Sequence, residues 1–271
     1  MYLSYYGLTQ KPFSITANPS FLFFSHRHKE ALANLTYGIK ERVGFIEITG
    51  EVGTGKTTIC RHLLNQLDEK TKTAFIFNSN LSGVQLLQTI VEDFGIKTEK
   101  KSKGALFSEL NRFLIEQLSF NNNVVLIIDE AQNLSLQLLE QVRMLSNLET
   151  ENEKLIQIVL VGQPELREKL KLPALRQLRQ RISVRYHIEA LEDQEVPLYI
   201  AHRLKLAGAV NGMSPLFTDE AFKVLTRYSS GIPRLVNIVC DKALLLAFVL
   251  EQRRIDENIV NRSIAEIEGK N

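Results

Sequence analysis

The sequence predicts a three-layer α/β fold, in which helices cover a parallel sheet of five strands, followed by a small all-helical segment. Short β-type segments alternate with helical patterns from residue 44 to residue 188. One of these segments, residues 124–128 (VVLII), is apolar at every position, as is typical of a strand buried on both faces of a parallel sheet. A glycine-rich loop lies between the first β-type segment and a helical pattern, which is the start of many α/β units.

Composition sets the bounds of this interpretation. The chain has 271 residues, enough for one large domain or two smaller ones. Hydrophobic residues make up 44% and charged residues 24%, which indicates a real core and excludes a disordered chain. The net charge of +2 does not by itself indicate a nucleic-acid-binding protein, so only local clusters of basic residues could do so.

The cysteines and the apolar runs favour a cytoplasmic protein. Cys60 and Cys240 both lie in apolar helical patterns, so we expect buried reduced thiols and no disulfide framework. The N-terminus lacks a basic segment followed by an apolar run, so no signal peptide is expected. The longest apolar run, residues 243–250, is too short to span a bilayer.

The glycine-rich loop fits the pattern Gly, four residues, Gly, Lys, Ser or Thr. Its glycines let successive backbone N–H groups turn toward one anion, and the helix that follows adds positive potential. This context predicts an ATP site and disfavours a simple turn before a helix. Lys56 is expected to reach the β- and γ-phosphates, and Thr57 to hold Mg²⁺ through its hydroxyl. The residues predicted to bind the nucleotide are Gly50, Glu51, Val52, Gly53, Thr54, Gly55, Lys56, Thr57 and Thr58.

Two acids follow the buried strand at residues 124–128. They lie at its carboxyl end, where α/β sheets bind ligands. Asp129 is predicted to hold Mg²⁺, directly or through water, and Glu130 to polarise the attacking water as a general base. A strand that ends in Asp is common, but one about 70 residues after a phosphate loop is a specific signal.

Gln163 is a neutral polar residue at the tip of the next buried strand, predicted at residues 155–161. It could contact the γ-phosphate or the attacking water. The alternative is a turn residue that precedes Pro164. The spacing alone does not decide between them.

A basic run follows, with seven cations against one acid, Glu168. Three interpretations stay open: a solvated face, arginines offered to the ATP of a neighbouring subunit, or a surface that contacts DNA phosphates. The basic residues are Arg167, Lys169, Lys171, Arg176, Arg179, Arg181 and Arg185.

The remaining segments predict the domain organisation. Residues 1–25 are aromatic and irregular, so we expect an arm packed on the core, either as a strap or flanking the purine base. A second strand is predicted at 73–78. Ser82 and Gln85 form a capping-box pattern that opens a helix. The composition shifts at 190–194 and is helical afterwards, which predicts domains 1–190 and 191–271.

Arg234 stands in the first turn of a helical pattern that runs to residue 250. A cation there opposes the helix dipole, which indicates a functional role, with a surface arginine as the alternative.

These motifs together resemble the AAA+ ATPase superfamily and, more narrowly, the general secretion pathway protein A family, which includes related pilus-biogenesis ATPases. The resemblance covers nearly the whole chain. It is carried by Tyr6-Gly7-Leu8, Lys11-Pro12-Phe13, Phe21-Leu22-Phe23, Ser25, His28, Glu30-Ala31-Leu32, Tyr37-Gly38-Ile39, the phosphate loop, Asp129-Glu130-Ala131-Gln132, Gly162-Gln163-Pro164-Glu165-Leu166 and Gly231-Ile232-Pro233-Arg234.

The resemblance implies the AAA+ strand order and roles for four of the residues. Gln163 takes the sensor-1 role, Arg234 the sensor-2 role, and Arg179 or Arg181 the arginine finger. A finger acts on the next subunit, so a homo-oligomer, either ring or filament, is expected. The implied activity is Mg-ATP hydrolysis that drives assembly of an envelope machine for secretion or pilus biogenesis, in the cytoplasm or, through partners, at the inner face of the membrane.

Two alternatives remain at this point. Transposition ATPases that assemble on DNA share the same core, so DNA is a second candidate partner. A nucleotide switch with little turnover is the third hypothesis, and Glu130 argues against it because a pure switch does not need a base there.

Overall fold

The computed structural model describes residues 2–77, 81–99, 101–150, 153–209 and 216–270. The chain divides into two compact units. The sheet unit comprises Lys29–Gly50 and Ile59–Ile188, and the helical unit comprises Met1–His28, Glu51–Thr58 and Glu189–Asn271. The domain boundary that the sequence predicts after residue 190 stays a prediction.

Five strands form one parallel sheet in the order β2-β3-β4-β1-β5, among the residues described. The strands are β1 Phe45–Gly50, β2 Thr71–Ile76, β3 Asn123–Ile128, β4 Gln157–Gly162 and β5 Ile182–Ile188. The α-helices are α1 Tyr2–Tyr5, α2 His26–Lys40, α3 Lys56–Leu64, α4 Gly83–Asp93, α5 Lys103–Ser119, α6 Leu136–Leu145, α7 Pro164–Lys171, α8 Arg176–Arg181, α9 Glu195–Leu206, α10 Asp219–Ser229, α11 Pro233–Val249 and α12 Glu257–Ile267. The predicted fold class, with an all-helical C-terminal segment, is confirmed.

The two faces of the sheet are covered by different helices. Val124, Leu126 and Ile128 of β3 lie on one face and belong to a single buried cluster with apolar residues of α4 to α8. On the other face, Ile46 of β1 packs against α2 where Gly38 leaves room for it. A Cβ at Gly38 would lie 2.5 Å from Ile46 Cδ1, so the helix approaches the sheet closely. The result is the three-layer arrangement that the sequence predicts.

The parallel register brings three carboxyl ends to one edge of the sheet. In register, Thr49 of β1 pairs with Gly162 of β4, and Ile128 of β3 pairs with Leu160. Because β1, β4 and β3 are neighbours, the segments that follow them start from the same edge. These segments are the phosphate loop, the acids after β3 and Gln163.

Among the described residues, β2 and β5 are the outer strands of the sheet. On β2, the N–H of Phe75 donates to Asp93 Oδ2 at 2.5 Å, and Lys72 is exposed. On β5, Ser183 and Arg185 are exposed. Charged and polar side chains therefore stand along both outer strands.

The helical unit has its own buried cluster, which includes Tyr6, Phe217 and Val236. The N-terminal arm joins this cluster through Arg203 of α9. Its Nε donates to Pro12 O at 2.6 Å, and its guanidinium stacks over a ring of the arm. The arm is therefore held by a specific cationic anchor and not by apolar contact alone.

The prediction that the arm contains no regular helix was wrong for Tyr2–Tyr5, which form α1. The reason is packing: Tyr2 is buried and its hydroxyl donates to Asp241 of α11, and Tyr6 is 2% exposed. Tertiary contacts thus stabilise a turn that the local sequence does not favour.

Most predicted elements lie within a few residues of those observed. The strand predicted at 73–78 is found at Thr71–Ile76, and Asn78 lies outside the described residues. The capping box of Ser82 and Gln85 is confirmed, since each side chain bonds the backbone of the other residue. Both cysteines are buried and free, as expected.

Gly231 allows a test of stability in the helical unit. Its φ is +72°, its carbonyl accepts the N–H of Leu191 at 2.9 Å, and an added Cβ would lie 2.0 Å from Leu191 O. We expect Gly231→Ala to lower the free energy of unfolding by about 3 kcal/mol, because it adds a backbone clash to left-handed strain.

Gly269→Ala is the matched control for that measurement. Gly269 has a similar φ of +66°, and nothing lies within 4 Å of the site of its Cβ. Its substitution should cost about 1 kcal/mol, from backbone strain alone. Equal losses in urea-induced unfolding of the two variants would show that the contact with Leu191 does not constrain the fold.

Candidate nucleotide site

The phosphate loop occupies the turn between β1, which ends at Gly50, and α3, which begins at Lys56. Two side chains donate to a single carbonyl oxygen of the loop, Glu51 O. The Thr54 hydroxyl donates to it at 2.9 Å and Lys56 Nζ at 2.8 Å. Lys56 is 5% exposed, so its ammonium is held beside the loop at a helix N-terminus. Backbone N–H groups and a fixed cation at this position favour a bound anion.

Gly53 of the loop lies against the start of α11. The N–H of Arg234, the second residue of that helix, donates to Gly53 O at 3.3 Å. A Cβ at Gly53 would lie 2.4 Å from Arg234 Cβ, so only glycine fits at this contact. Arg234 itself is exposed. The structure thus brings the predicted sensor-2 residue next to the predicted phosphate loop.

The acids follow β3 at once. Asp129 is 2% exposed, and its Oδ1 accepts the N–H of Glu130 at 2.9 Å. Glu130 adopts φ +52° and ψ +37°, in the left-handed region that residues other than glycine rarely adopt. Such a conformation persists only where the surroundings hold it, and it is enriched at functional sites.

The Glu130 carboxylate is oriented by two side-chain amides. Its Oε2 accepts Gln132 Nε2 at 2.5 Å and Gln163 Nε2 at 3.0 Å. The Gln163 N–H donates in turn to Gln132 Oε1 at 3.1 Å. The structure therefore brings together Glu130 and Gln163, which the sequence placed at two different strand tips.

Gln132 is the residue that sequence reasoning missed. It appeared only inside a family motif, without a role, yet its amide both donates to Glu130 and accepts from Gln163. The signal that could have found it is its chemistry: an amide two residues after the acid offers both a donor and an acceptor. The carbonyls of Gln132 and Leu134 are further held by the ammonium of Lys169.

Some side chains of the basic run are exposed, and others are partly buried and hydrogen-bonded to the protein. Arg181 is partly buried, and its Nη1 donates at 2.5 Å to the hydroxyl of Ser146, which is 2% exposed. Arg179 is exposed, and its Nη1 donates to Lys171 O at 3.4 Å. The exposed members of the run are Arg167, Lys171, Arg176, Arg179 and Arg185.

A buried acid balances part of this charge. Glu47 of β1 is 4% exposed, and its Oε2 accepts Arg185 Nε at 3.2 Å. Burial raises the pKa of the Glu47 carboxyl, against the opposite effects of Arg185 and Arg167. Arg185 of β5 is thus partly committed to this structural pair. Since Arg181 bonds Ser146, the exposed arginines of α8 are Arg176 and Arg179.

Comparisons with known proteins agree with this arrangement. Residues 39–170 match the family described as AAA domain. The chain is 45% identical over 270 residues to general secretion pathway protein A of Aeromonas hydrophila, covering 99% of this chain and 49% of that protein. It therefore spans about half the length of this relative.

Two solved structures share the fold. The Cdc6p protein of Pyrobaculum aerophilum has a TM-score of 0.71 at 18% identity, over 94% of this chain and 70% of its own. The ORC2 protein of Aeropyrum pernix has a TM-score of 0.70 at 19% identity, over 95% of this chain and 71% of its own.

In the part of the chain that the structure describes, no helix is both long and apolar enough for a bilayer crossing. The sheet order, the loop after β1 and the acids after β3 are those of a P-loop nucleotide-binding fold. The chain therefore has an AAA+ P-loop fold, and over 99% of its length it is similar to general secretion pathway protein A.

Proposed function

We propose that this protein binds Mg-ATP and hydrolyses it by in-line attack of water on the γ-phosphate. The observation that carries the proposal is the amide-held carboxylate of Glu130, at the sheet edge where β1 leads into the phosphate loop. A carboxylate fixed in this way is suited to polarise water as a general base. The backbone N–H groups of the loop and Lys56 bind the phosphates.

The proposed Mg²⁺ ligands are the hydroxyl of Thr57 and the buried carboxylate of Asp129. Both are hard oxygen ligands of the kind that Mg²⁺ takes, together with phosphate oxygens and water. A bound ion would neutralise charge on the β- and γ-phosphates. Asp129 also accepts the Glu130 N–H, so it helps fix the general base.

Gln163 and Arg234 are proposed to read the state of the nucleotide. The Gln163 amide already donates to Glu130, so it can share its second N–H with the attacking water or a γ-phosphate oxygen. Arg234 adjoins the loop through its backbone and leaves its exposed guanidinium able to contact a phosphate. A contact made with ATP and lost with ADP couples hydrolysis to movement.

The proposed role of hydrolysis is assembly of an envelope machine for secretion or pilus biogenesis, by a homo-oligomer at the inner face of the cytoplasmic membrane. It is supported by the identity to general secretion pathway protein A. A DNA-bound role of the transposition-regulator type is the second candidate, favoured by the exposed cations of α7, α8 and β5. Titration of duplex DNA at low and high salt distinguishes them, because phosphate contacts make affinity fall steeply with salt.

Lys56→Ala tests the nucleotide site. We expect the affinity for ATP to fall by about a hundredfold, the scale of a lost charge-assisted contact, while the thermal unfolding of the nucleotide-free protein changes little. Lys205→Ala is the control, since Lys205 is an exposed lysine of α9. ATP affinity that is equal in wild type and Lys56→Ala, in a fluorescence or calorimetric titration, contradicts the proposed site.

A further inference from the structure

The imidazole of His28 bridges the start of α2 and the phosphate loop. His28 is 4% exposed and occupies the third position of the helix. Its Nε2 lies 2.9 Å from Thr54 O, and its Nδ1 lies 2.5 Å from the hydroxyl oxygen of Ser25. A Cβ at Gly55 would lie 3.0 Å from Nε2, so the ring is packed directly on the loop.

The hydrogen-bond partners of the two ring nitrogens show which nitrogen carries the hydrogen. A carbonyl oxygen can only accept, so Nε2 must carry the hydrogen that it donates to Thr54 O. The Ser25 hydroxyl accepts the backbone N–H of His28 at 3.2 Å and donates its own hydrogen to Nδ1. Both ring nitrogens are thereby satisfied in the neutral form, with the proton on Nε2.

Burial lowers the pKa of the His28 imidazole below its usual value of 6.5. The hydrogen bond to Thr54 and the charge of Glu195 act in the opposite direction, and burial has the larger effect. A cation in the first turn of α2 would also oppose the helix dipole. The ring therefore acts as a fixed donor near neutral pH.

The direction of one loop amide follows from this hydrogen bond. Thr54 C=O and Gly55 N–H belong to the same planar trans peptide, so they point in opposite directions. When His28 holds the carbonyl, the Gly55 N–H is turned away from the ring. It belongs to the loop whose amides cradle the α- and β-phosphates of a nucleotide.

We propose that His28 is a positioning residue for nucleotide binding, which fixes the Thr54–Gly55 peptide so that the Gly55 N–H, next to Lys56, is aimed at the β-phosphate. This inference rests on the proposed nucleotide site. Ser25 serves His28 by fixing the ring tautomer, and it also caps α2 through the N–H of His28. His28 touches no substrate in this role and acts only through the loop.

A matched pair of variants tests the inference. His28→Gln places an amide donor near the position of Nε2, whereas His28→Met has a similar length and no donor. We expect His28→Met to bind ADP about tenfold more weakly than wild type, the scale of the lost charge-assisted hydrogen bond from the Gly55 N–H to the phosphate, and His28→Gln to recover most of that loss. The affinity for AMP, which lacks the β-phosphate, is measured for the same proteins as a comparison.

The outcomes separate the inference from the proposed function. ADP and ATP that fail to bind wild-type protein contradict the nucleotide site itself. If wild type binds, equal ADP affinities of the Met and Gln variants overturn the role of His28. A loss in His28→Met that is the same for AMP and ADP also overturns it, because general destabilisation of the loop would act on both.

A measurement on the wild-type protein does not depend on the folding of any variant. The ¹⁵N chemical shifts of the His28 imidazole distinguish its tautomers. We expect the neutral form with hydrogen on Nε2 at pH 7. The form with hydrogen on Nδ1 would overturn the inference, because Nε2 could then not donate to Thr54 O.

Discussion

Arg179→Ala is expected to lower the rate of ATP turnover by about a thousand- to a hundred-thousandfold, while the variant still binds ATP. That range is the effect of an arginine finger that stabilises charge on the transferring phosphoryl group. Of the two arginines that the family resemblance offers, Arg181 donates to the buried hydroxyl of Ser146, whereas Arg179 is exposed on α8. An exposed arginine is the one that a neighbouring subunit can use.

Mixing tests whether the residue acts between subunits. Lys56→Ala keeps its arginine but loses its phosphate contact, and Arg179→Ala keeps its own loop. Each should be nearly inactive alone, and the mixture should regain part of the activity at concentrations that permit assembly. Wild-type specific activity should rise with protein concentration for the same reason.

Two further variants make the mixing experiment specific. Arg176→Ala removes another exposed arginine of α8 and should leave turnover near normal. Arg179→Lys should restore little, because lysine lacks the planar fork of the guanidinium. If Arg179→Ala hydrolyses ATP normally, Arg181→Ala takes its place in the mixture. If Arg179→Ala and Arg181→Ala both turn over ATP normally, and specific activity does not depend on protein concentration, the basic run is better interpreted as a DNA-binding surface or a solvated face.

Glu130→Gln should bind Mg-ATP with near-normal affinity and hydrolyse it about a hundred- to ten-thousandfold more slowly, because it removes general-base assistance. The substitution is nearly isosteric. Its amide oxygen can still accept from one of the two amides, Gln132 or Gln163, that hold the carboxylate. The variant should therefore keep the fold and lose mainly the chemical step.

Single-turnover kinetics with excess enzyme isolates that step from product release. Glu168→Gln is the control: it removes a carboxylate of α7 whose salt bridge to Lys171 is exposed, and it should behave as wild type. Near-normal single turnover by Glu130→Gln would show that another group positions the water, and would remove the main argument against a switch with little turnover.

The sheet was predictable from sequence because each strand has a local signature. The continuous apolar run at 124–128 indicates a strand buried on both faces, and β3 is found at Asn123–Ile128. The turn between β1 and α3 was predictable because a glycine-rich loop between a β-type segment and a helical pattern is the start of many α/β units. These features depend on neighbouring residues, so they can be read without knowing any distant contact.

The network around the predicted site was not predictable in this way. Gln132 contacts a strand tip 31 residues away, and His28 contacts a carbonyl 26 residues away. The commitment of Arg181 to Ser146 spans 35 residues. Neither periodicity nor spacing encodes which distant partner a polar side chain selects. The sequence therefore predicts which residues carry chemistry more readily than which residues hold them in place.

The outer strands of the sheet have a consequence for how copies of this chain can join. An open strand edge is a template for β-sheet extension and for aggregation. Here a Phe75 N–H is occupied by Asp93, and the exposed charges of Lys72 and Arg185 make docking of another strand unfavourable. The proposed oligomer is therefore expected to grow through side-chain surfaces, so that it can come apart again when the nucleotide changes.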